Sequence, residues 1–283
     1  MDNKHFRVAI LGLGAMGSAV AGRLVAAGVD VLTVLEGRSE ASRKRAASMG
    51  VRAGAWPDLA AVDIVLSIVP PSQAMSVAAA VAAIAGAKRG RIFVDCNAIS
   101  PRTMQSVAAL FAGTADQVVD AGIIGAPPKD GYDPAIYACG PGAQQLSVLK
   151  DRGLDLRVIE GPIGAASALK MSYAGITKGL TGLGAAMILA ATRAGAASHL
   201  IAELSSSQPQ LLQWLARTVP AMLPKAYRFD GEMSEIAAFI GDPAAGADIY
   251  DEIARLYRAI AIDVEADGET AKCLLAFANA AKQ

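Results

Sequence analysis

The 283-residue chain is 53% hydrophobic and carries 26 Lys+Arg against 26 Asp+Glu, a formal net charge of zero. That length builds one large domain or two ordinary ones, and a balanced charge offers no global field to attract nucleic acid or an anionic membrane. Cys96, Cys139 and Cys273 lack CxxC spacing and only two histidines are present, so neither a zinc site nor a disulfide framework is expected.

The N-terminal MDNKHFRVAILGLGAMG has an apolar run too short and too glycine-broken for a signal peptide. No segment reaches about 18 apolar residues without Gly or charge, so a cytoplasmic chain with no membrane partner is expected. From residue 6, short apolar runs alternate with helical stretches: FRVAIL, GSAVAGRLVAAG, VDVLTVL, then VDIVLSIV and RIFVDC. Strand-then-helix repetition predicts an α/β fold, a doubly wound parallel sheet over residues 1–162. Beyond it, Ala/Leu-rich segments broken at SSSQP (205–209), FDG (229–231), GDPAAG (241–246) and EADGE (265–269) predict an all-helical domain over 163–283.

Gly12-Leu13-Gly14-Ala15-Met16-Gly17 falls between the first strand and the first helix. In a Rossmann βαβ unit the first glycine makes the tight turn, the second admits a pyrophosphate, and the third lets helix and strand touch. Glu36 stands where an acid would meet an NAD ribose, yet Gly37 can turn it outward and bring Arg38 and Ser39 to an NADP 2′-phosphate. NADP is favoured and NAD stays open. Lys44 and Arg45 read as a solvated helix face.

The order GLGAMG, SIVPPS (67–72), VDCNAISP (94–101), VDAGIIGAP (119–127) and GPIGAASALKMSYA (161–174) resembles the β-hydroxyacid dehydrogenase and 6-phosphogluconate dehydrogenase superfamily over about two-thirds of the chain. The helical remainder, with YRFDGEMSEIAAFIGDPAAGA (227–247), is similar to a branch with a C-terminal phosphogluconate dehydrogenase-like domain of unknown function. The resemblance implies a dehydrogenase of small hydroxyacids or ketoacids. It sets Val69 and Pro70 beside the nicotinamide, Asn97 at the reacting carbon, Gly122 and Ile123 on the substrate side, and Lys170 at the catalytic lysine. It also implies a homodimer through the helical domain, with the Arg228 region reaching the partner. Two departures stand out: Ile124 replaces the family's carboxylate-binding serine, and Ala174 its asparagine.

The helix around Lys170 supplies a separate argument. At about 100° per residue, Ser167, Tyr173, Thr177 and Thr181 lie within roughly 60° of Lys170, while Leu169, Ile176, Leu180, Leu183 and Met187 share another face. Hydroxyls around one ammonium suit an enclosed site: Lys170 is the expected acid/base, with Tyr173 and Thr177 orienting substrate. Lys178 reads as a charge meeting solvent or a neighbouring helix. Two alternatives remain, an imine reductase and a non-catalytic NADP-binding scaffold.

Overall fold

The computed structural model describes residues 6–84 and 90–282. The chain divides into two compact units, Met1–Met171 and Ser172–Gln283.

The first unit is built from β1 (Arg7–Leu11), α1 (Ala15–Ala26), β2 (Asp30–Val34), α2 (Glu40–Ser48), β3 (Arg52–Gly54), β4 (Ile64–Ser67), α3 (Ala74–Ala82), β5 (Ile92–Asp95), α4 (Pro101–Ala109), β6 (Gln117–Ile124), β7 (Ala135–Cys139), α5 (Ser147–Lys150) and β8 (Leu156–Val158). The eight strands form one sheet in the order β3-β2-β1-β4-β5-β6-β7-β8. The central strands are apolar on both faces because helices cover both: Val8, Ile10 and Val94 pack on one side, Ala9, Val65 and Phe93 on the other. The sheet is parallel, as expected, except at one pair. β7 runs antiparallel to β6, with Asp120 opposite Cys139 and Ile124 opposite Ala135. The connection from Gly125 to Pro134 is too short to hold the crossover helix that a parallel pair needs.

A 29-residue helix, α6 (Ala165–Arg193), crosses the division between the units. It is long and apolar enough, by length and composition alone, to cross a membrane. The second unit continues with α7 (Ala197–Ser207), α8 (Pro209–Met222), α9 (Ala226–Ile240), α10 (Ala247–Glu265) and α11 (Glu269–Ala280). Breaks fall as expected at Gln208, at Gly241 to Gly246 and at Ala266 to Gly268.

The break expected at FDG does not occur, since α9 runs through it. Phe229 is buried and meets Tyr257 edge-on at 5.3 Å, and that packing outweighs the helix-breaking tendency of Asp230-Gly231. The turn comes earlier, at Leu223–Lys225, where Pro224 lies. Glycines on the Ser172–Arg193 part of α6 admit large neighbours. A Cβ on Gly175 or Gly179 would stand 3.2 Å from Tyr250, on Gly182 2.7 Å from Ile253, and on Gly184 2.4 Å from Leu215.

Candidate active site

The glycine turn forms where β1 ends. Gly12 adopts φ +101°, and a Cβ there would stand 2.3 Å from the Ile68 carbonyl oxygen. A Cβ on Gly17 would lie 1.9 Å from the Gly12 oxygen, so neither position accepts a side chain. Gly14 differs: among the described residues, nothing beyond its own chain neighbours lies within 4 Å of the site of its missing Cβ, and no side-chain hydrogen bond caps α1 at this position. Oriented N–H groups beside open space fit a pyrophosphate. Leu13 is buried, Ala15 exposed and Met16 half-buried in the same turn.

At the end of β2, Glu36 is exposed and Gly37 takes φ +67°. Arg38 Nη1 donates to Gln73 Oε1 at 2.9 Å, while Ser39 caps α2 by accepting from Ser42 N. Arg45 is not the solvated charge expected. Its Nε donates to the Leu13 carbonyl at 2.8 Å, tying α2 to the glycine turn.

The carboxyl ends of β4 and β5 carry a buried polar network. Asn97 Oδ1 accepts from Val69 N at 2.6 Å, and its Nδ2 donates to Ser67 Oγ at 3.0 Å and Asp95 Oδ2 at 2.8 Å. The carboxamide therefore clasps β4 to β5, and what Asn97 turns toward Lys170 is its main-chain oxygen. Lys170 Nζ donates to the carbonyls of Cys96 and Asn97, each at 3.1 Å. Two carbonyl acceptors fix an ammonium without neutralising it. Asp95 is 1% exposed, and burial pushes its carboxyl up to about 6, moderated by the hydrogen bonds from Asn97 and by the nearby Lys170 charge. Burial also raises the Cys96 thiol, so it stays protonated.

Beside it on β6, Asp120 is fully buried. Its Oδ2 accepts from Gly164 N at 2.9 Å and Ser167 N at 3.0 Å, and its Oδ1 from Ser167 Oγ at 2.6 Å. Asp95 and Asp120 are neighbours in register. Neither was among the expected site residues. Their signal was a carboxylate inside the apolar runs IFVD and QVVDAGII, since a buried charge needs partners.

Gly122 and Ile123 are buried on β6, Val69 is buried and Pro70 exposed. Further along, Gly125 turns back with φ +136° and the Tyr132 hydroxyl accepts from Ala126 N at 3.2 Å. Ile124 offers no donor.

On α6, Thr177 and Thr181 return their hydroxyls to the carbonyls of Tyr173 and Thr177 at 2.8 and 2.9 Å. Tyr173 is 53% exposed, so it is no core tyrosine. The apolar face is exposed as well, with Ile176 at 69%, Leu183 at 56% and Met187 at 55%. Lys178 finds a helix neighbour: Nζ pairs with Glu232 of α9 and lies 4.4 Å from the Phe229 ring centre, while Arg228 reaches the other Glu232 oxygen at 3.8 Å.

Residues 191–260 match a domain of unknown function, and residues 7–150, just over half of the chain, match the NAD binding domain of 6-phosphogluconate dehydrogenase. The chain is 28% identical to an uncharacterised 28.5 kDa protein of Methanothermus fervidus over 242 residues, 83% of this chain and 90% of that protein. It is 29% identical to the conserved protein MTH1747, whose structure is described as similar to 3-hydroxyacid dehydrogenases; the TM-score is 0.70 over 93% of this chain and 100% of that one. The 3-hydroxyisobutyrate dehydrogenase of Mycobacterium tuberculosis shares the fold with a TM-score of 0.71 at 20% identity, covering 95% and 98% of the two chains. With its glycine turn, its strand order and a match across the first sheet-bearing half, this chain belongs to the family of the 6-phosphogluconate dehydrogenase NAD-binding domain.

Proposed function

We propose that the protein is an NADP-dependent oxidoreductase of a small hydroxyacid or its ketoacid, with Lys170 as the proton-transfer group. The observation that carries the reading is the tether of Lys170 Nζ to two carbonyls at the carboxyl end of β5, the edge at which open α/β sheets bind ligands. When bound, the nicotinamide takes or supplies the hydride. The residues of the chain do the rest. The open Gly14 turn and the N-terminus of α1 receive the pyrophosphate, and Arg38 takes the 2′-phosphate. Lys170 gives a proton to the substrate oxygen during reduction and accepts it during oxidation, with the Cys96 and Asn97 carbonyls keeping the ammonium in one place.

Lys170→Met keeps chain length and apolar packing. Single-turnover hydride transfer, followed by NADPH absorbance across a panel of ketoacids and imines, should fall by about 10²–10⁴ while NADPH affinity holds. A variant that reduces its substrate at the parental rate would remove the lysine from the chemistry. Tight NADPH binding with no turnover on any member of the panel would favour the scaffold.

A second reading, an imine reductase, draws on a specific observation. Ile124 supplies no donor and the Ala126 amide is already bonded to the Tyr132 hydroxyl, an arrangement poor in groups for a small carboxylate. The same panel separates the two. We also propose a homodimer through α6, supported by the exposed apolar face from Leu169 to Met187.

A further inference from the structure

We propose that Asp120 and Gly122 of β6 are positioning residues for Lys170, setting the height and the closeness at which the first turns of α6 meet the sheet. The inference rests on the reading of Lys170 as the proton-transfer group.

A helix begins with N–H groups that lack partners within it, and a carboxylate there also meets the positive end of the helix dipole. Ordinarily the partner comes from the residue just before the helix. In α6 it comes from a strand: the fully buried Asp120 carboxylate takes Gly164 N, Ser167 N and Ser167 Oγ. The Cys139 thiol closes the group, donating to Asp120 Oδ2 at 3.4 Å and accepting from Ala166 N at 3.4 Å. Satisfying these donors therefore fixes α6 along and around its axis against β6. Lys170 follows Ser167 by three residues, about one turn, so a helix fixed at Ser167 has a fixed lysine.

Gly122 sets the separation. It lies two residues beyond Asp120, hence on the same face of the strand. A Cβ there would stand 2.9 Å from the Ala166 oxygen and 3.1 Å from Lys170 Cβ. Any side chain at 122 must displace α6 at the turn that carries Lys170. The Nζ tether to Cys96 and Asn97, two contacts of 3.1 Å, has little slack for that movement.

The test is competitive labelling of Lys170 with acetic anhydride, read by peptide mass spectrometry against the exposed Lys44 in the same molecule. It needs no substrate. In Gly122→Ala and Asp120→Asn the Lys170 rate relative to Lys44 should rise several-fold, with NADPH titration and far-ultraviolet circular dichroism retained. Hydride transfer in the same proteins should fall by about 10- to 100-fold, the scale of a displacement under 1 Å. Should either variant fail to fold, Ser167→Ala, which removes only the hydroxyl–carboxylate bond, should give a smaller rise in labelling. Folded variants whose Lys170 labels at the parental rate would overturn the positioning role, even with Lys170→Met inactive. If instead Lys170→Met transfers hydride normally, the proton-transfer reading fails, and the labelling still reports whether β6 holds the lysine.

Discussion

Replacing Arg38 by Ala tests the cofactor assignment most directly. Arg38 follows the positive-φ Gly37 and commits one of five guanidinium donors to Gln73, at 2.9 Å. That bond holds the head group at the end of β2, where the ribose of a dinucleotide in this fold is received. A charge-assisted contact to a 2′-phosphate contributes about 1.5–3 kcal/mol, and each 1.4 kcal/mol is tenfold, so NADPH affinity should drop about 10- to 100-fold. NADH has no 2′-phosphate and should bind within about twofold of the parent. Gln73→Ala removes only the neutral bond that orients Arg38, so its effect on NADPH should be about three- to tenfold. Nicotinamide fluorescence titrations of both cofactors against all three proteins supply the four ratios. Equal losses for NADPH and NADH, or no loss for NADPH, would refute the reasoning and return Glu36 to the role of an NAD ribose ligand.

Three further outcomes follow from the same geometry. Asp95 has a folded-state carboxyl raised from 3.8 to about 6, so the folded protein binds the extra proton between those values; the stability from its neutral form is present below pH 4 and is lost, by about 3 kcal/mol, as pH rises through 6. Urea unfolding at pH 4 and pH 7 should reveal a difference of that order between parent and Asp95→Asn, and identical pH slopes would contradict it. Arg91 and Asp116 form an ion pair with both side chains 3% exposed, so Asp116→Ala, which strands the guanidinium, should cost about 3–5 kcal/mol by chemical denaturation, whereas a loss under 1 kcal/mol would show that water reaches the pair. Sedimentation velocity of Leu183→Glu/Met187→Lys should give a monomer if α6 is the dimer seam, and a parental protein that is already monomeric at all concentrations would exclude the seam.

The fold was largely legible because its signals are local. Apolar strands buried on two faces and a glycine turn whose positions are sterically forced both act within a few residues. The antiparallel β7 and the uninterrupted α9 were not, because each depends on a partner distant in the chain: β7 takes its direction from pairing with β6, and FDG stays helical because Phe229 has Tyr257 to pack on. The site divides in the same way. Lys170 stood out as a cation on a hydroxyl-bearing helix face, but its acceptors are carbonyls 73 and 74 residues earlier, which carry no residue-specific mark. Asn97 could be placed at a strand end, yet the use of its side chain as a clasp follows from Ser67, Val69 and Asp95 converging on it. Gly122 looked like a ligand-facing amide, whereas the contact that excludes a side chain there comes from Ala166 and Lys170.

The glycines on the Ser172–Arg193 part of α6 bear on the order in which the molecule acquires its form. Gly175, Gly179, Gly182 and Gly184 each cost about 1 kcal/mol relative to Ala in an isolated helix, so this stretch has little tendency to coil by itself. What offsets that cost is the pressing of Leu215, Ile236, Tyr250, Ile253 and Tyr257 into the gaps, and all five arrive later in the chain. During synthesis this half of α6 therefore emerges well ahead of the side chains that stabilise it, and it settles only once α10 has been made. If docking of these side chains limits the folding of this unit, its rate follows sequence separation instead of helix propensity. Mutations at these glycines would then register in the folding rate, as contacts made at the barrier do.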